Sequence, residues 1–252
     1  MKIDADAKIT VADRFRSLSS MALFFLLLLL ATPVILLLLL LSFGKAGNLV
    51  VEKIAPLLAR PTLAVAGVDF HLKNHVETVP SPAVFIINHS SSLDMLTLLA
   101  MGLPRIRFVA KWQLQYNPLF FLIGRLTGQV FIRRENSEKA VATLRKNIAR
   151  LQREKLSVML APEGSRNHPG VIGPFKKGAF HMAIELGYPI VPIYFEGNRE
   201  LNPGGTLITK KGKSIAHIHP PVDTSGWDKK NLNQYVERVR NLYLHWAEKS
   251  EN

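Results

Sequence analysis

A stretch of 23 residues without a charged side chain, residues 21–43, limits what this chain can fold into more than any other feature. As a straight helix rising ~1.5 Å per residue it would be about 34 Å long, enough to cross the ~30 Å hydrocarbon core of a bilayer. Cleavable signal peptides have shorter apolar segments, roughly 7–15 residues, and no clear A-x-A site follows this one. The sequence therefore predicts a retained membrane anchor.

Pro33 lies in the middle of the apolar stretch and leaves two arrangements open. Proline removes one helical hydrogen bond and crowds the preceding turn, so the anchor is either one kinked span or a re-entrant hairpin of two half-length helices. A single span puts the N-terminal tail outside, whereas a hairpin keeps both ends inside. Residues 1–20 carry four basic and three acidic side chains, so residues 44–252 hold +12 of the net charge of +13. Because basic residues concentrate on the cytoplasmic side, we expect the body there, on the cell (inner) membrane with its lipids as partners.

Residues 44–66 have the pattern of an amphipathic connector at the membrane interface, broken at Pro56 and Pro61. We expect residues 1–66 to form the anchor and connector, and residues 67–252 to form one folded domain. Hydrophobic residues make up 48% of the chain, which is enough for a substantial core. The absence of cysteine excludes disulfides, thiolate nucleophiles and cysteine-based zinc sites.

Strand-like and helix-like segments alternate after residue 80. The strand-like segments are residues 83–87, 107–110, 129–132, 157–161, 190–195 and 214–218. Three helices are expected between and after these segments. The first starts at an N-cap formed by Asn136 or Ser137, the second ends at Gly187, and the last occupies residues 234–249. Such alternation predicts an α/β fold, with a mixed, largely parallel central sheet flanked by helices and preceded by the hydrophobic anchor.

One histidine and one aspartate lie in the gap between two apolar segments, in "FIINHSSSLDML", residues 85–96. His89 follows a predicted strand at its carboxyl end, where α/β folds place ligands, and the three serines suit a helix N-cap. Asp94 is five residues further on, so the two side chains meet only if the chain turns between them. The carboxylate would then orient one ring nitrogen and leave the other as a base. The simpler alternative is that Asp94 only faces the first amides of the helix.

Cationic and glycine-containing segments follow further predicted strands. They contain Arg133 and Arg134, then Glu163, Gly164, Ser165 and Arg166, and last Pro192. Guanidinium groups at strand ends are suited to bidentate phosphate binding. Each segment alone is a common composition; their order along the chain is what makes them informative.

In this order the segments resemble the lysophosphatidic acid (1-acylglycerol-3-phosphate) acyltransferases of the glycerolipid acyltransferase superfamily. The resemblance covers about residues 80–200. Its four motifs are N-H-x4-D at Asn88, His89 and Asp94, G-x-x-F-x-R at Gly128, Phe131 and Arg133, "APEGSR" at residues 161–166, and V-P-I at residues 191–193. Two residues depart from the family pattern, Ala161 in place of an aromatic residue and Ser165 in place of threonine.

The resemblance implies a membrane-bound enzyme that transfers an acyl group from acyl-CoA or acyl carrier protein to a lysophospholipid and makes phosphatidate. His89 would be the base and Asp94 would orient it. The implied substrate-binding residues are Lys111, Arg133, Glu163, Gly164, Ser165 and Arg166. A thioester is already activated, so neither a cofactor nor a metal site is expected, and nucleic acid is not an expected partner. The oligomeric state stays open.

Three alternatives remain at this point. The acceptor could be another lyso-lipid, such as lyso-ornithine lipid or lysophosphatidylcholine. The chain could be a non-catalytic, basic protein that binds membrane surfaces or nucleic acid. It could be a serine hydrolase using one of residues 90–92, although no G-x-S-x-G elbow surrounds them.

Two further segments are interpreted as structural. His217 and His219 share a strand face without a carboxylate pattern nearby, which favours packing over a metal site. Residues 118–126, "PLFFLIGRL", predict a buried helix, with contact to an acyl chain as the alternative.

Overall fold

The computed structural model describes residues 9–133, 137–166, 171–203 and 206–251. Its strands are β1 (Val68–Asn74), β2 (Val84–Ile87), β3 (Ile106–Lys111), β4 (Val130–Ile132), β5 (Ser157–Leu160), β6 (Ile190–Glu196) and β7 (Gly212–Ile218). Its helices are α1 (Val11–Leu41), α2 (Gly47–Leu49), α3 (Ala55–Ala66), α4 (Leu93–Met101), α5 (Pro118–Leu126), α6 (Ser137–Arg153), α7 (Gly178–Leu186), α8 (Asn198–Leu201) and α9 (Leu232–Glu251). A π turn, Val50–Ile54, joins α2 to α3, and a 3-10 turn, Trp112–Tyr116, precedes α5.

The strands form one seven-stranded sheet in the order β1-β7-β6-β2-β5-β3-β4. In the described part of the chain β6 and β7 run antiparallel and the other neighbouring pairs run parallel. Every residue of β2 and β5 is buried, as is typical of central strands covered on both faces. The prediction of a mixed, largely parallel sheet flanked by helices is confirmed.

Alternating residues of β2 face two different layers of the core, since neighbouring side chains in a strand point to opposite faces. Val84 and Ile86 pack in the cluster that contains Phe180 of α7 and Tyr243 of α9. Phe85 and Ile87 pack in the cluster that contains Leu98 of α4. The helices thus cover both faces, and the carboxyl ends of the parallel strands remain available for a site.

β1 is the strand that the sequence did not predict. Asp69, His71 and Lys73 give it an exposed, polar character, and it lies at the edge of the sheet, paired with β7. Charged residues are common on edge strands because they oppose pairing with another chain. The six strand-like segments that the sequence did predict each contain a strand.

α1 is one continuous helix of 31 residues that runs through Pro33. Two half-length helices broken at Pro33 are therefore not found. The helix begins with a capping box, in which the Thr10 side chain accepts from the Asp13 amide and the Asp13 carboxylate accepts from the Thr10 amide. By length and composition α1 is sufficient to cross a membrane.

The helical segment after α1 folds back along it. Near the beginning of α1, the Ser20 hydroxyl donates to the Thr62 carbonyl of α3 over 2.9 Å. Near its end, Ile35 packs with Val50, at the beginning of the returning segment. The two helical segments are therefore antiparallel, and a hairpin exists, but its turn lies after α1 rather than at Pro33.

The connector is helical throughout residues 47–66, so the expected breaks at Pro56 and Pro61 are wrong. Pro56 lies in the first turn of α3, where its missing amide matters least. The π turn comes immediately before it and accommodates the change in hydrogen bonding. Pro61 lies inside α3.

α5 is helical as predicted but it is not buried. Gly124 is its one buried residue, and Phe120, Phe121 and Leu122 are each about two-fifths exposed. The prediction of burial failed because an apolar helical sequence is equally compatible with a cover of protein and with a cover of another apolar phase.

Candidate active site

His89 and Asp94 lie together at the carboxyl end of β2. β2 ends at Ile87 and α4 begins at Leu93, so the intervening turn brings the two side chains face to face. His89 Nδ1 lies 2.8 Å from Asp94 Oδ2; the histidine side chain is 19% exposed and the aspartate 1%. Because a carboxylate only accepts, Nδ1 of the neutral ring carries the proton and Nε2 has the lone pair. No described residue is hydrogen-bonded to Nε2, so this nitrogen is available as a base.

Asp94 is held by a buried set of donors. Its Oδ2 also accepts from the Ser91 amide (3.0 Å), and its Oδ1 accepts from Asn198 Nδ2 (2.9 Å). Asn198, at the start of α8, donates to Thr97 as well and accepts from the Ser214 hydroxyl. Hydrogen bonds to the ionised form stabilise it and restrict the carboxylate to one orientation.

The backbone on either side of His89 is held by two further side chains. The Asn88 side chain donates to the Phe195 carbonyl over 3.0 Å and accepts from the Phe195 amide over 2.7 Å. These two bonds hold the chain after β2 against β6. The Glu163 carboxylate accepts from the His89 amide (2.8 Å) and from the Gly173 amide (2.9 Å). Glu163 is 5% exposed, so its position suits support of the His89 backbone.

One of the serines caps the start of α4, as the sequence suggested. The Ser91 hydroxyl oxygen accepts from the Leu93 amide over 3.0 Å. Ser92 directly precedes α4, but its side chain makes no capping hydrogen bond. Its hydroxyl donates to the Thr206 carbonyl and accepts from Arg166. The buried Ser91 hydroxyl donates to the Asn202 carbonyl over 2.6 Å. Among the described residues, no hydrogen bond joins His89 to the hydroxyl of Ser90, Ser91 or Ser92, which gives a serine-hydrolase mechanism no support.

Arg166 contacts the turn that follows His89. It is exposed, and its guanidinium donates to Ser92 Oγ over 2.8 Å, three residues after His89. Ser165 is exposed too. Gly164 has a φ of +70°, and a Cβ there would lie 3.0 Å from Lys176 Nζ. The turn therefore needs glycine, and it brings a lysine that the sequence had not singled out close to this segment.

Lys111 and Arg133 lie at the carboxyl ends of the neighbouring strands β3 and β4. Lys111 pairs with Ile132 in the sheet, and Arg133 is the next residue. Arg133 is exposed, with its guanidinium carbon 4.7 Å above the ring of Trp112. Arg133, Trp112 and Lys146 of α6 line a cavity of about 230 Å³, the cationic cavity. Arg134 and Asn136 lie outside the described residues.

A larger, apolar cavity has a volume of about 480 Å³. It reaches Ser92 and Leu93 at the start of α4, and it extends between α1, α3, α4 and α5. Phe131 of β4 lines both this cavity and the cationic one. One ring therefore stands between an apolar space and a positively charged space.

Comparison with known proteins identifies the family of the chain. The model of the family described as Acyltransferase matches residues 67–196, more than half of the chain. The chain belongs to the Acyltransferase family. The resemblance read from the four motifs is confirmed at this level.

Several acyltransferases are similar over long stretches. The 1-acyl-sn-glycerol-3-phosphate acyltransferase of Haemophilus influenzae is 38% identical over 162 residues, 64% of this chain and 67% of that protein. The enzyme of the same name from Saccharomyces cerevisiae is 30% identical over 69% of this chain, and the match spans 58% of the yeast protein, less than two thirds of its length.

A solved structure has the same fold. The 1-acyl-sn-glycerophosphate (LPA) acyltransferase of Thermotoga maritima superposes with a TM-score of 0.75, covering 94% of this chain and 98% of that chain, at 24% identity. This likeness extends the shared fold beyond the residues matched by the family model, to the N-terminal helices.

The sequence did not identify the residues that hold Asp94. Asn198 and Ser214 lie more than 100 residues away in the chain. One signal was available: Asn198 follows β6 by two residues, and β6 is parallel to β2, so Asn198 and His89 lie at the carboxyl ends of neighbouring strands. Polar residues at the carboxyl ends of parallel strands converge on one edge.

Proposed function

We propose that this acyltransferase-family chain is a membrane-bound 1-acylglycerol-3-phosphate O-acyltransferase. It would transfer an acyl group from acyl-CoA or acyl carrier protein to the free hydroxyl of a lysophosphatidate and form phosphatidate. The names of its relatives support this substrate class.

One observation carries the proposal: the partly exposed His89 ring has its Nδ1 2.8 Å from the buried carboxylate of Asp94. A hydroxyl is a poor nucleophile at neutral pH, so its attack on a thioester needs a base. General bases typically contribute about 10²- to 10⁴-fold. His89 offers the lone pair of Nε2 for this purpose, and Asp94 stabilises the imidazolium that forms.

The proposed reaction balances without a cofactor. Nε2 removes the hydroxyl proton while the hydroxyl oxygen attacks the carbonyl carbon of the thioester. The tetrahedral intermediate then breaks its C–S bond. The departing thiolate takes the proton from Nε2, which returns His89 to its neutral form.

The two cavities match the two parts of a lysophosphatidate. A phosphate monoester is a strong acceptor for cationic donors, and Arg166, Arg133 and Lys146 supply these, with Lys111 at the adjoining strand end. The apolar cavity suits an acyl chain. In this proposal Gly164 and Ser165 shape the phosphate site, and Glu163 acts indirectly, through the backbone of His89.

The apolar exterior supports contact with a membrane. Exposed large apolar side chains occur along α1, among them Leu29 and Leu41, at Phe43 in the turn after it, and again on α5. The bilayer would cover these surfaces, and the strongly basic body would face anionic lipid at the cytoplasmic surface of the inner membrane. In this arrangement residues 1–66 form the anchor and residues 67–252 the catalytic domain.

The test uses purified protein in detergent with an acyl thioester and lysophosphatidate, and follows the release of free thiol. His89→Ala should lower the rate by about 10²- to 10⁴-fold while the thermal unfolding curve stays that of the wild type. His71→Ala, which changes an exposed histidine on β1, is the matched control and should keep full activity. Full activity of His89→Ala would refute the assignment.

The same assay separates the alternatives. A faster reaction with lysophosphatidylcholine or lyso-ornithine lipid would reassign the acceptor. Hydrolysis with a trapped acyl-serine would indicate a hydrolase, and no thiol release with any acceptor would indicate a binding protein. Running acyl-CoA and acyl carrier protein in parallel identifies the donor.

A further inference from the structure

Three histidine rings lie together at the β1 side of the sheet, and the proposed reaction gives them no role. His75 follows β1 directly, His217 belongs to β7, and His219 follows β7 by one residue. One ring nitrogen of each lies within 4.8 Å of the other two. The sequence suggested packing because it showed no carboxylate near His217, but the structure brings Glu196 of β6 into contact with it.

Glu196 determines which nitrogen of His217 has a lone pair. His217 Nε2 lies 2.8 Å from Glu196 Oε2. Because the carboxylate only accepts, Nε2 of the neutral ring carries the proton and Nδ1 has the lone pair. Nδ1 points at His75 Nε2, which is 2.9 Å away. A carboxylate that orients a histidine in this way is a recurrent partner of metal-binding histidines.

His219 adds a buried ring nitrogen without a hydrogen-bond partner. Its Nε2 has no such partner among the described residues, which is uncommon for a buried polar atom. The ring is held between two others, with its centroid 3.5 Å from Trp246 and 4.7 Å from His75. The stack therefore keeps His219 in place whether or not its nitrogens are used.

Burial disfavours a positive charge on two of the rings. It lowers the pKa of His217, and together with the neighbouring His75 and His217 it lowers the pKa of His219 to about 4. His75 is exposed, so an ion can reach the cluster from solvent.

We propose that His75, His217 and His219 bind one divalent transition-metal ion such as Zn²⁺. With metal–nitrogen distances of about 2.1 Å, the 2.9 Å between the His75 and His217 nitrogens corresponds to an angle of about 90° at the metal. If the two nitrogens move apart by a few tenths of an ångström, the nitrogen–metal–nitrogen angle widens toward the tetrahedral value. The ion joins the chain after β1 to β7, so its role is to strengthen this edge of the sheet.

The test is a zinc titration of the full chain, free of any histidine tag and treated with a chelator, in detergent. The wild type should bind one Zn²⁺ per chain. His75→Ala removes an exposed ligand, and His219→Phe removes the nitrogens while keeping a ring against Trp246. Each should weaken zinc binding by at least tenfold, and Glu196→Gln by about tenfold through His217. His71→Ala, on the same edge strand, should bind zinc as the wild type does.

Thermal unfolding gives a second measurement that does not depend on enzyme activity. Saturating zinc should raise the unfolding temperature of the wild type and of His71→Ala, because a ligand that binds the folded state stabilises it. It should not raise that of His75→Ala or His219→Phe. No stoichiometric uptake by the wild type, or equal uptake by these two variants, would show that the rings only pack and would overturn the proposal.

Discussion

Two histidine–aspartate pairs in this protein have nearly the same separation and very different surroundings. His89 Nδ1 and Asp94 Oδ2 are 2.8 Å apart, and His71 Nε2 and Asp69 Oδ2 are 2.9 Å apart. The side chains of the first pair are 19% and 1% exposed, and those of the second are 46% and 70% exposed. Distance alone would make the two pairs equal candidates for a general base.

The difference lies in what else holds the carboxylate. Asp94 accepts from the Ser91 amide and from Asn198, inside the protein. Asp69 lies on an edge strand in solvent, where an ion pair typically contributes ~0–1 kcal/mol and competes with water. A base therefore needs a carboxylate with a fixed orientation and limited access to water, and the pair at residues 89 and 94 has both.

The largest expected effect comes from Asp94→Asn. Whichever way the amide is turned, its NH₂ group faces a former donor, either at His89 Nδ1 and Ser91 or at Asn198. If the NH₂ group faces His89, Nδ1 must accept and Nε2 no longer has the lone pair. If it faces Asn198, the buried Asn198 amide group loses its acceptor. We expect kcat for thiol release to fall by about 10²- to 10⁴-fold. Asp69→Asn is the matched control and should leave kcat unchanged; equal losses in both variants would contradict the comparison.

Asn198→Ala should have an intermediate effect, because it removes a support of the buried pair without touching His89. Asp94 Oδ1 and the Ser214 hydroxyl both lose a partner. We expect kcat to fall by about tenfold at constant acceptor KM, and stability in urea to fall by about 1–3 kcal/mol. A change in KM alone would place Asn198 in substrate binding instead.

Arg166→Ala should have the smallest effect on the chemical step. Its guanidinium contacts Ser92 rather than the buried pair, so the base remains intact. We expect the acceptor KM to rise several-fold with kcat nearly unchanged, as for a group that binds ground state and transition state alike. Arg238→Ala, on the exposed side of α9, is the control. A fall in kcat with unchanged KM would show that Arg166 acts in the chemistry.

The central strands were predictable because their apolar residues form short runs bounded by polar ones. β2 and β5 are buried on both faces and have such runs. β1 was missed because a solvent-exposed edge strand needs few apolar residues. The helical course through Pro56 and Pro61 was missed because tertiary packing and the π turn outweigh the local preference against proline.

The candidate site was predictable only where its residues are close in the chain. His89 and Asp94 are five residues apart, and their motif led directly to them. Asn198 meets Asp94 only after the sheet has formed, so no local pattern contains it. The apolar cavity was missed for a related reason: its walls come from four helices, and α5 was interpreted as core.

The antiparallel course of α1 and α3 has a consequence for membrane insertion. If α1 and α3 enter the bilayer together, the turn at residues 42–46, in which Lys45 is the one charged residue, enters with them. A lysine at mid-depth costs ~2.5–3.5 kcal/mol on insertion scales, and one nearer the surface costs less. No domain and no charged tail would then have to be translocated, so the protein could dock after its folded body has left the ribosome.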